Sequence, residues 1–470
     1  MTSFSKYGVR LRSRKSWLQG IAIVLTLVVI CHVMIVTIHD LENYPGIDLR
    51  AKVVGARLLI RGMNPYYDFR HEPHADHLRM LTTNTYSPAL LLLYAPLCEL
   101  DWRVQRVIYF LVDWVAILLC YVILARIFPK RASGTALWAG FVLLFIADTG
   151  FRFHLERGQY YVELALLTTA ASVYLFRKSD SLLHALPLAL LVLLRPTYAI
   201  CFVGIFLLRR FRHAAYAVVL CGLLFAATIP AVGIGGWKNY IASVRANENQ
   251  NLDDAYARGP KPPVADRSEV LEGVEFSKSM AGPGYLADRT LIGLARSSVS
   301  PALEQLVHRV APSKESLQRL NTVCLLLAFC FDVAVMYGFA RGDISSLLPI
   351  SFVLLAPLNL ELFAPQRYGY CDVTILAPLL LILAASLESG KLRGWLLYAV
   401  LLLIGFVIPW LSFHSDKHVP IVSFSKYVLT LAILNLVCVK AAWSTQRLAK
   451  ARAAAPEKKI GDGGIGLEHP

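Results

Sequence analysis

Long apolar runs separated by short polar stretches recur from one end of the chain to the other. Those nearing the roughly 20 residues that a bilayer-spanning helix needs are 17–38, 104–127, 134–146 (short), 159–176, 214–233, 320–340, 344–362, 371–387, 395–411 and 424–443. Two further stretches are ambiguous. Residues 86–100 are apolar but short and interrupted by Pro88 and Pro96, and residues 182–208 are long but broken at Arg195-Pro196. The pattern predicts an all-α polytopic membrane protein.

Composition agrees. Of 470 residues 56% are hydrophobic and only 17% charged, against roughly 25% in soluble domains. The net charge of +15 changes the picture only in its placement. Lys and Arg crowd short loops: Arg126/Lys130/Arg131, Arg177/Lys178, Arg209/Arg210/Arg212, Arg341 and Lys391/Arg393. This is the arrangement the positive-inside rule wants, and no nucleic-acid-binding motif accompanies it. With a basic cytoplasmic N-terminus at 1–16, these loops fall on the inner side if 86–100 dips into the outer leaflet and 182–208 forms a hairpin of two short spans. About 12 spans then occupy 17–443, with both ends inside and a disordered tail at 444–470. The run at 17–38 is too long for a signal-peptide core and is read as a retained first helix. The nine cysteines contain no C-x-x-C and read as packing residues.

On this map the unusual residues gather on the outer face, in loop one (39–103), around 152–159, at the Arg195 tip, in a large loop at 237–319 and at Gln366-Arg367-Tyr368. The stretch 47–68 stands out. Val53, Ala56, Leu59 and Ile60 recur at helical spacing, Arg50, Lys52, Arg57 and Arg61 form a basic opposite side, and Gly62 and Pro65 stop the helix. Such a helix would lie along the membrane surface with Asp48 at the boundary of lipid and water.

The order Asp48, Gly62-Met63-Asn64-Pro65-Tyr66, Tyr86-Ser87-Pro88, Arg157-Gly158-Gln159 and Leu194-Arg195-Pro196 resembles the bacterial membrane glycosyltransferases of family 87. The resemblance runs from about Trp17 to Leu208 and less distinctly through 366–368. It implies a GT-C fold and an enzyme that takes its sugar, typically mannose, from a polyprenyl-phosphate sugar. It implies that Asp48 is the general base on the acceptor hydroxyl. Gly62 and Tyr66 match the turn closing the family's interfacial helix, and Gly158-Gln159 matches its Gly-Gln pair. Arg195-Pro196 stands where Lys-Pro is usual, Tyr86-Ser87-Pro88 where Tyr-Pro-Pro is common, and Tyr160-Tyr161 where Asn often follows Gly-Gln.

The chemistry fits these residue types. Transfer from a lipid phosphate-sugar needs a base for the incoming hydroxyl and cations for the departing phosphate. Arg195, with Arg157 and Arg367 as weaker candidates, suits the donor phosphate; Gln159, Tyr66, Tyr86 and His154 suit the substrate. An Arg inside an apolar run costs at least roughly 2.5 kcal/mol at mid-bilayer, so Arg195 needs a reason; phosphate is one, and the wetted tip of a hairpin is the other. His71, His74 and His77 invite a metal, but Pro73 disturbs a helix there and no zinc spacing is matched, so a solvated loop is the better reading. Asp113 and Asp332 are expected to face the bundle interior, and Glu361 is a possible second acid. No Walker, Rossmann or nucleophile-elbow pattern occurs, so a cytosolic nucleotide-sugar donor is not expected, and neither is a cofactor or metal. The expected partners are the polyprenyl-phosphate sugar, a lipid or glycan acceptor and membrane lipids, with the work done at the outer face of a bacterial cytoplasmic membrane. The rivals are a lipid or polyprenyl-sugar transporter, whose charges would line a path across the bilayer, and a non-enzymatic subunit of an envelope-polysaccharide complex.

Overall fold

The structure, a computed structural model, describes residues 4–43, 46–66, 85–127, 134–176, 181–256, 290–296, 301–341, 347–363, 369–388, 392–407 and 419–454. Every regular element among them is helical. Among the described residues five helices are long and apolar enough to cross a bilayer: α1 (Phe4–Asn43), α4 (Trp102–Ile127), α10 (Phe211–Tyr256), α13 (Lys314–Ala340) and α17 (Val419–Ala454). A sixth is reached if α5 (Gly134–Phe141), its π-helical continuation Val142–Ile146 and α6 (Thr149–Arg157) count as one span bent by 49°. The fold class is therefore that of an all-α, multi-pass membrane protein. The long helices turn apolar side chains outward, as Val24, Leu25 and Ile35 of α1 and Leu326 and Leu327 of α13 do. Contiguous apolar exposure on this scale suits lipid, not water.

Shorter helices fill the interior. These are α3 (Pro88–Tyr94), α7 (Tyr161–Phe176), α8 (Leu186–Leu194), α9 (Ile200–Leu207), α14 (Leu347–Glu361), α15 (Leu376–Glu388) and α16 (Leu392–Leu402). α14 and α15 are buried on all sides, with Phe352 to Leu355 and Leu380 to Ala384 sealed from solvent. α7 packs closely on α4, and α8 lies between α7 and α10. The ambiguous 86–100 segment is α3 plus a single 3₁₀ turn, Ala95–Leu97, started by Ser87, whose hydroxyl accepts from Leu90 N at 3.3 Å. Ten helical residues rise about 15 Å, half a hydrocarbon core, so this segment alone is too short to cross. The 182–208 run breaks where the sequence says, at Arg195, whose extended backbone (φ −140°, ψ 96°) separates α8 from the 3₁₀ turn leading into α9.

Three expectations about loops need correction. Residues 152–157 are not loop but the body of α6. The stretch 237–319, expected as a large loop, is helical in much of its described part. α10 bends at Gly233 (φ 68°, ψ 163°), beyond Pro230, and runs on to Tyr256. Its end meets α11 (Leu291–Ala295), α12 (Pro301–Val310) and the start of α13 around a small separate core of Leu252, Ala255, Ile292, Ala295, Val307, Ala311 and Leu317. Finally, residues 444–454 of the expected tail continue α17.

Candidate active site

α2 (Ile47–Ile60) begins after Gly46, whose left-handed backbone (φ 57°) fits a position where a Cβ would press on Trp102 and Arg106. Its amide at Arg50 bonds back to Gly46 O at 3.0 Å. The helix ends where predicted, just before Gly62 (φ 70°). Its surroundings are not as predicted. Leu49, Val53, Ala56, Leu58 and Leu59 are buried, but so are Arg50 and Lys52, at 6% and 0% exposure. Half of the expected basic side is thus walled in, with Arg50 stacked 4.4 Å over Trp102; Arg57 is half-buried and donates to Cys98 O at 2.6 Å, and Arg61 is exposed.

Asp48 lies in the first turn of α2 and forms an ion pair with Arg157 Nε in the last turn of α6. A carboxylate at a helix N-terminus facing a guanidinium at a helix C-terminus satisfies both helix dipoles. Both side chains stay partly open, at 14% and 20%. The two helix ends meet because α6 stops on Gly158 (φ 73°), whose amide bonds to His154 O at 3.0 Å. A Cβ there would collide with Leu49 Cβ and lie 3.0 Å from Leu49 N.

The Gly158-Gln159 turn is clamped from behind by two buried side chains. Lys52 Nζ donates to Gly158 O and sits among the rings of Tyr86, Tyr94 and Tyr160 at 4.9, 5.3 and 5.8 Å. Burial lowers its pKa to about 8 despite the Asp48 carboxylate, which pulls the other way. Tyr109 of α4 donates to Gln159 O at 2.7 Å. The turn in turn places the buried Gln159 side chain, whose Oε1 accepts from Tyr86 Oη at 3.4 Å. Tyr66 reaches the same strand of contacts, donating to Tyr86 O at 3.0 Å. Burial pushes the Tyr66 and Tyr86 phenols well above their ordinary range, so both work as neutral hydroxyls.

An aromatic row joins this corner to a second ion pair. Tyr86 meets Tyr160 edge-on at 5.8 Å, Tyr160 stacks on Tyr161 at 4.8 Å, and Arg195 lies 5.7 Å over Tyr161. Arg195 Nε donates to Glu361 Oε1 at 2.8 Å, and Thr197 Oγ1 donates to the same oxygen at 3.1 Å. The fold therefore brings together Asp48, Arg157, Gln159, Tyr66, Tyr86 and, at the far end of the row, Arg195. Of the three arginines expected to hold phosphate, the two described ones, Arg157 and Arg195, are pre-paired with carboxylates. Glu361, flagged in the sequence as a second acid, is the partner of Arg195 and only 1% exposed. His154 is not at the surface: it is fully buried behind the turn, with Nε2 2.9 Å from Tyr109 Oη and 3.1 Å from Asp113 Oδ2. Asp113 and Asp332 do face the interior, Asp332 accepting from Asn359 at 2.6 Å. Arg367 and the His71, His74 and His77 cluster lie outside the described residues.

The sequence reading missed Lys52, Tyr94, Tyr109 and Glu163. For Lys52 the signal existed, since it shares the i, i+4, i+7 stripe of Ala56 and Leu59. Tyr94 donates to Glu163 Oε1 at 3.1 Å, and Asp113, His154 and Glu163 bring one ligand atom each within 4.8 Å of one another, a set able to hold a metal ion.

No curated protein and no solved structure matches the chain. The matched region of the family comparison contains Tyr86, Arg157, Gly158, Gln159 and Arg195, whereas Asp48 and the Gly62–Tyr66 turn precede it. A family model described as glycosyltransferase family 87 matches residues 84–261, and over that region this membrane protein is similar to that family of glycosyltransferases.

Proposed function

We propose that the chain transfers a hexose, most simply mannose, from a polyprenyl-phosphate sugar to a lipid or glycan acceptor at the outer face of a bacterial cytoplasmic membrane, inverting the anomeric centre. The observation that carries this reading is the partly open Asp48–Arg157 pair. A carboxylate and a guanidinium meet at one helix junction, beside a polar turn held rigid by Lys52 and Tyr109. Such a junction can serve a base and a phosphate-binding cation at once.

The transfer runs as one displacement. Asp48 takes the proton of the acceptor hydroxyl as its oxygen bonds to the anomeric carbon, and the bond from that carbon to the phosphate oxygen breaks. The electron pair leaves with polyprenyl phosphate, whose charge Arg157 and Arg195 meet with oriented donors. The Arg157 guanidinium stays paired with the Asp48 carboxylate until the acceptor arrives. Glu361 plays the same part for Arg195: the pair keeps a buried cation neutralised until a phosphate competes for it. Tyr86 and Gln159, hydrogen-bonded to each other at the turn, present hydroxyl and amide groups to a sugar. The prenyl chain would lie among the apolar side chains of the outward helix faces.

The test is donor choice. Purified full-length protein is offered radiolabelled mannose as polyprenyl-phosphomannose or as a nucleotide sugar, with membrane lipids as acceptor. Labelled product from the lipid phosphate donor alone is expected. Product from the nucleotide sugar would overturn the donor assignment, and passage of the lipid donor across a liposome without product would favour a transporter.

A further inference from the structure

Behind the Gly158-Gln159 turn, three ionisable side chains from three helices point at one another. Asp113 comes from α4, His154 from α6 and Glu163 from the first turn of α7. His154 Nε2 lies 3.1 Å from Asp113 Oδ2 and 3.9 Å from Glu163 Oε2. Asp113 and His154 are completely buried, and Glu163 keeps 28% of its side chain open. Two carboxylates at such a spacing inside a helix bundle repel and lose their hydration, an arrangement that calls for a cation between them.

From these positions we infer that Asp113, His154 and Glu163 form a binding site for one first-row divalent metal ion. The donor set, one imidazole and two carboxylates, suits Zn²⁺ or Mn²⁺. Metal–ligand bonds of about 2.1 Å place neighbouring ligand atoms about 3.0–3.4 Å apart, so the His154–Asp113 pair at 3.1 Å is already at that spacing and the His154–Glu163 pair at 3.9 Å is within an ångström of it. The outer shell is partly in place. Tyr94 Oη donates to Glu163 Oε1 and leaves Oε2 turned to the cluster without a hydrogen-bond partner. Asp113 Oδ1 is likewise buried without a partner. The Tyr109 hydroxyl spends its single proton on Gln159 O at 2.7 Å, so its oxygen, 2.9 Å from His154 Nε2, is available as a fourth donor. Lys52, the nearby cation, hydrogen-bonds to Gly158 O and stands beside the cluster without closing it. The partly open flank of Glu163 is the side from which an ion enters.

This site uses none of the His71, His74 and His77 run that the sequence offers for the same purpose. It takes no part in the displacement proposed above; it ties α4, α6 and α7 together beneath the turn that carries Arg157 and Gln159.

The test uses full-length protein purified in detergent through a histidine-free tag. It is stripped with EDTA, offered Zn²⁺ or, in parallel, Mn²⁺, desalted, and its metal counted by mass spectrometry. About one ion per chain is expected. Glu163→Gln and Asp113→Asn should each cut metal affinity at least about tenfold, and the triple variant His71→Ala/His74→Ala/His77→Ala should retain the ion. Should the carboxylate variants fail to fold, Co²⁺ loaded into wild type and the triple-histidine variant decides: the same visible absorption in both supports the site. A folded wild type that binds no ion, with the cluster held by a shared proton instead, would overturn it. So would metal that stays in both carboxylate variants, or metal and Co²⁺ absorption that vanish with the three loop histidines.

Discussion

Lys52 shows how a single residue departs from its sequence reading. Among the charges of 47–68 it looked like part of a solvated basic side, yet it is fully buried and holds the carbonyl of Gly158. Helical spacing alone could have put it on the stripe of Ala56 and Leu59; what the sequence did not carry was a second wall, the Tyr86, Tyr94 and Tyr160 rings, closing over that stripe. Its lowered pKa has a stability consequence. Below about pH 8 the folded protein bears the cost of a buried ammonium. Between about 8 and the unfolded value of 10.5 the unfolded chain binds more protons, so folding gains stability as pH rises. Thermal unfolding of detergent-solubilised protein should therefore show wild type gaining on Lys52→Met from pH 7 to pH 10; parallel curves would remove the charge from the account. Arg195 is the opposite case, legible from the sequence as an arginine that needed a reason. Its reason includes Glu361, which no local pattern could supply across 166 positions. Arg195→Ala leaves that carboxylate buried and unpaired and should cost about 3–5 kcal/mol, whereas Arg195→Leu with Glu361→Leu should cost much less. Denaturation of the single and double variants checks this, and equal losses would deny the pairing.

At the scale of elements, the site depends on one helix-end contact. Gly158 and Gly62 both hold a left-handed backbone, at φ 73° and 70°, but only Gly158 is pressed against another helix, while a Cβ at Gly62 meets nothing. Gly62→Ala should show only the backbone cost of about 1–2 kcal/mol. Gly158→Ala should cost more and also separate Asp48 from Arg157, lowering turnover. Equal effects on stability and activity would mean that the α2–α6 contact does not set the site. The Gly-Gln pair was visible in the sequence as a motif. Its use as a spacer-free junction was not, because Leu49 lies 109 positions away from it. α12 was hidden for a related reason: a ten-residue amphipathic helix between polar segments reads as loop until its partner Leu252 stripe is placed beside it.

For the whole molecule, hydropathy disclosed the class and most of the helices, because lipid-facing and interior side chains are both apolar here and long runs survive either fate. It could not separate spans from buried short helices for the same reason: α14 and α15 are at least as apolar as α13 but lie buried in the interior of the molecule. The distribution of Lys and Arg along the sequence predicts α12 outside and the loop before α16 inside. In a variant cleared of native cysteines, Gln305→Cys should react with an impermeant maleimide on intact cells, and Arg393→Cys only after permeabilisation. The reverse labelling would put the proposed active face in the cytoplasm. The central claim is that Asp48 is the base of a lipid-phosphate sugar transfer, and it is tested most directly by transfer of radiolabelled mannose from polyprenyl-phosphomannose, comparing wild type with Asp48→Asn at equal folded amount. The account predicts product from wild type and a loss of about 10²-fold or more in the variant, the usual worth of a positioned base. Product at the wild-type rate from Asp48→Asn would contradict it.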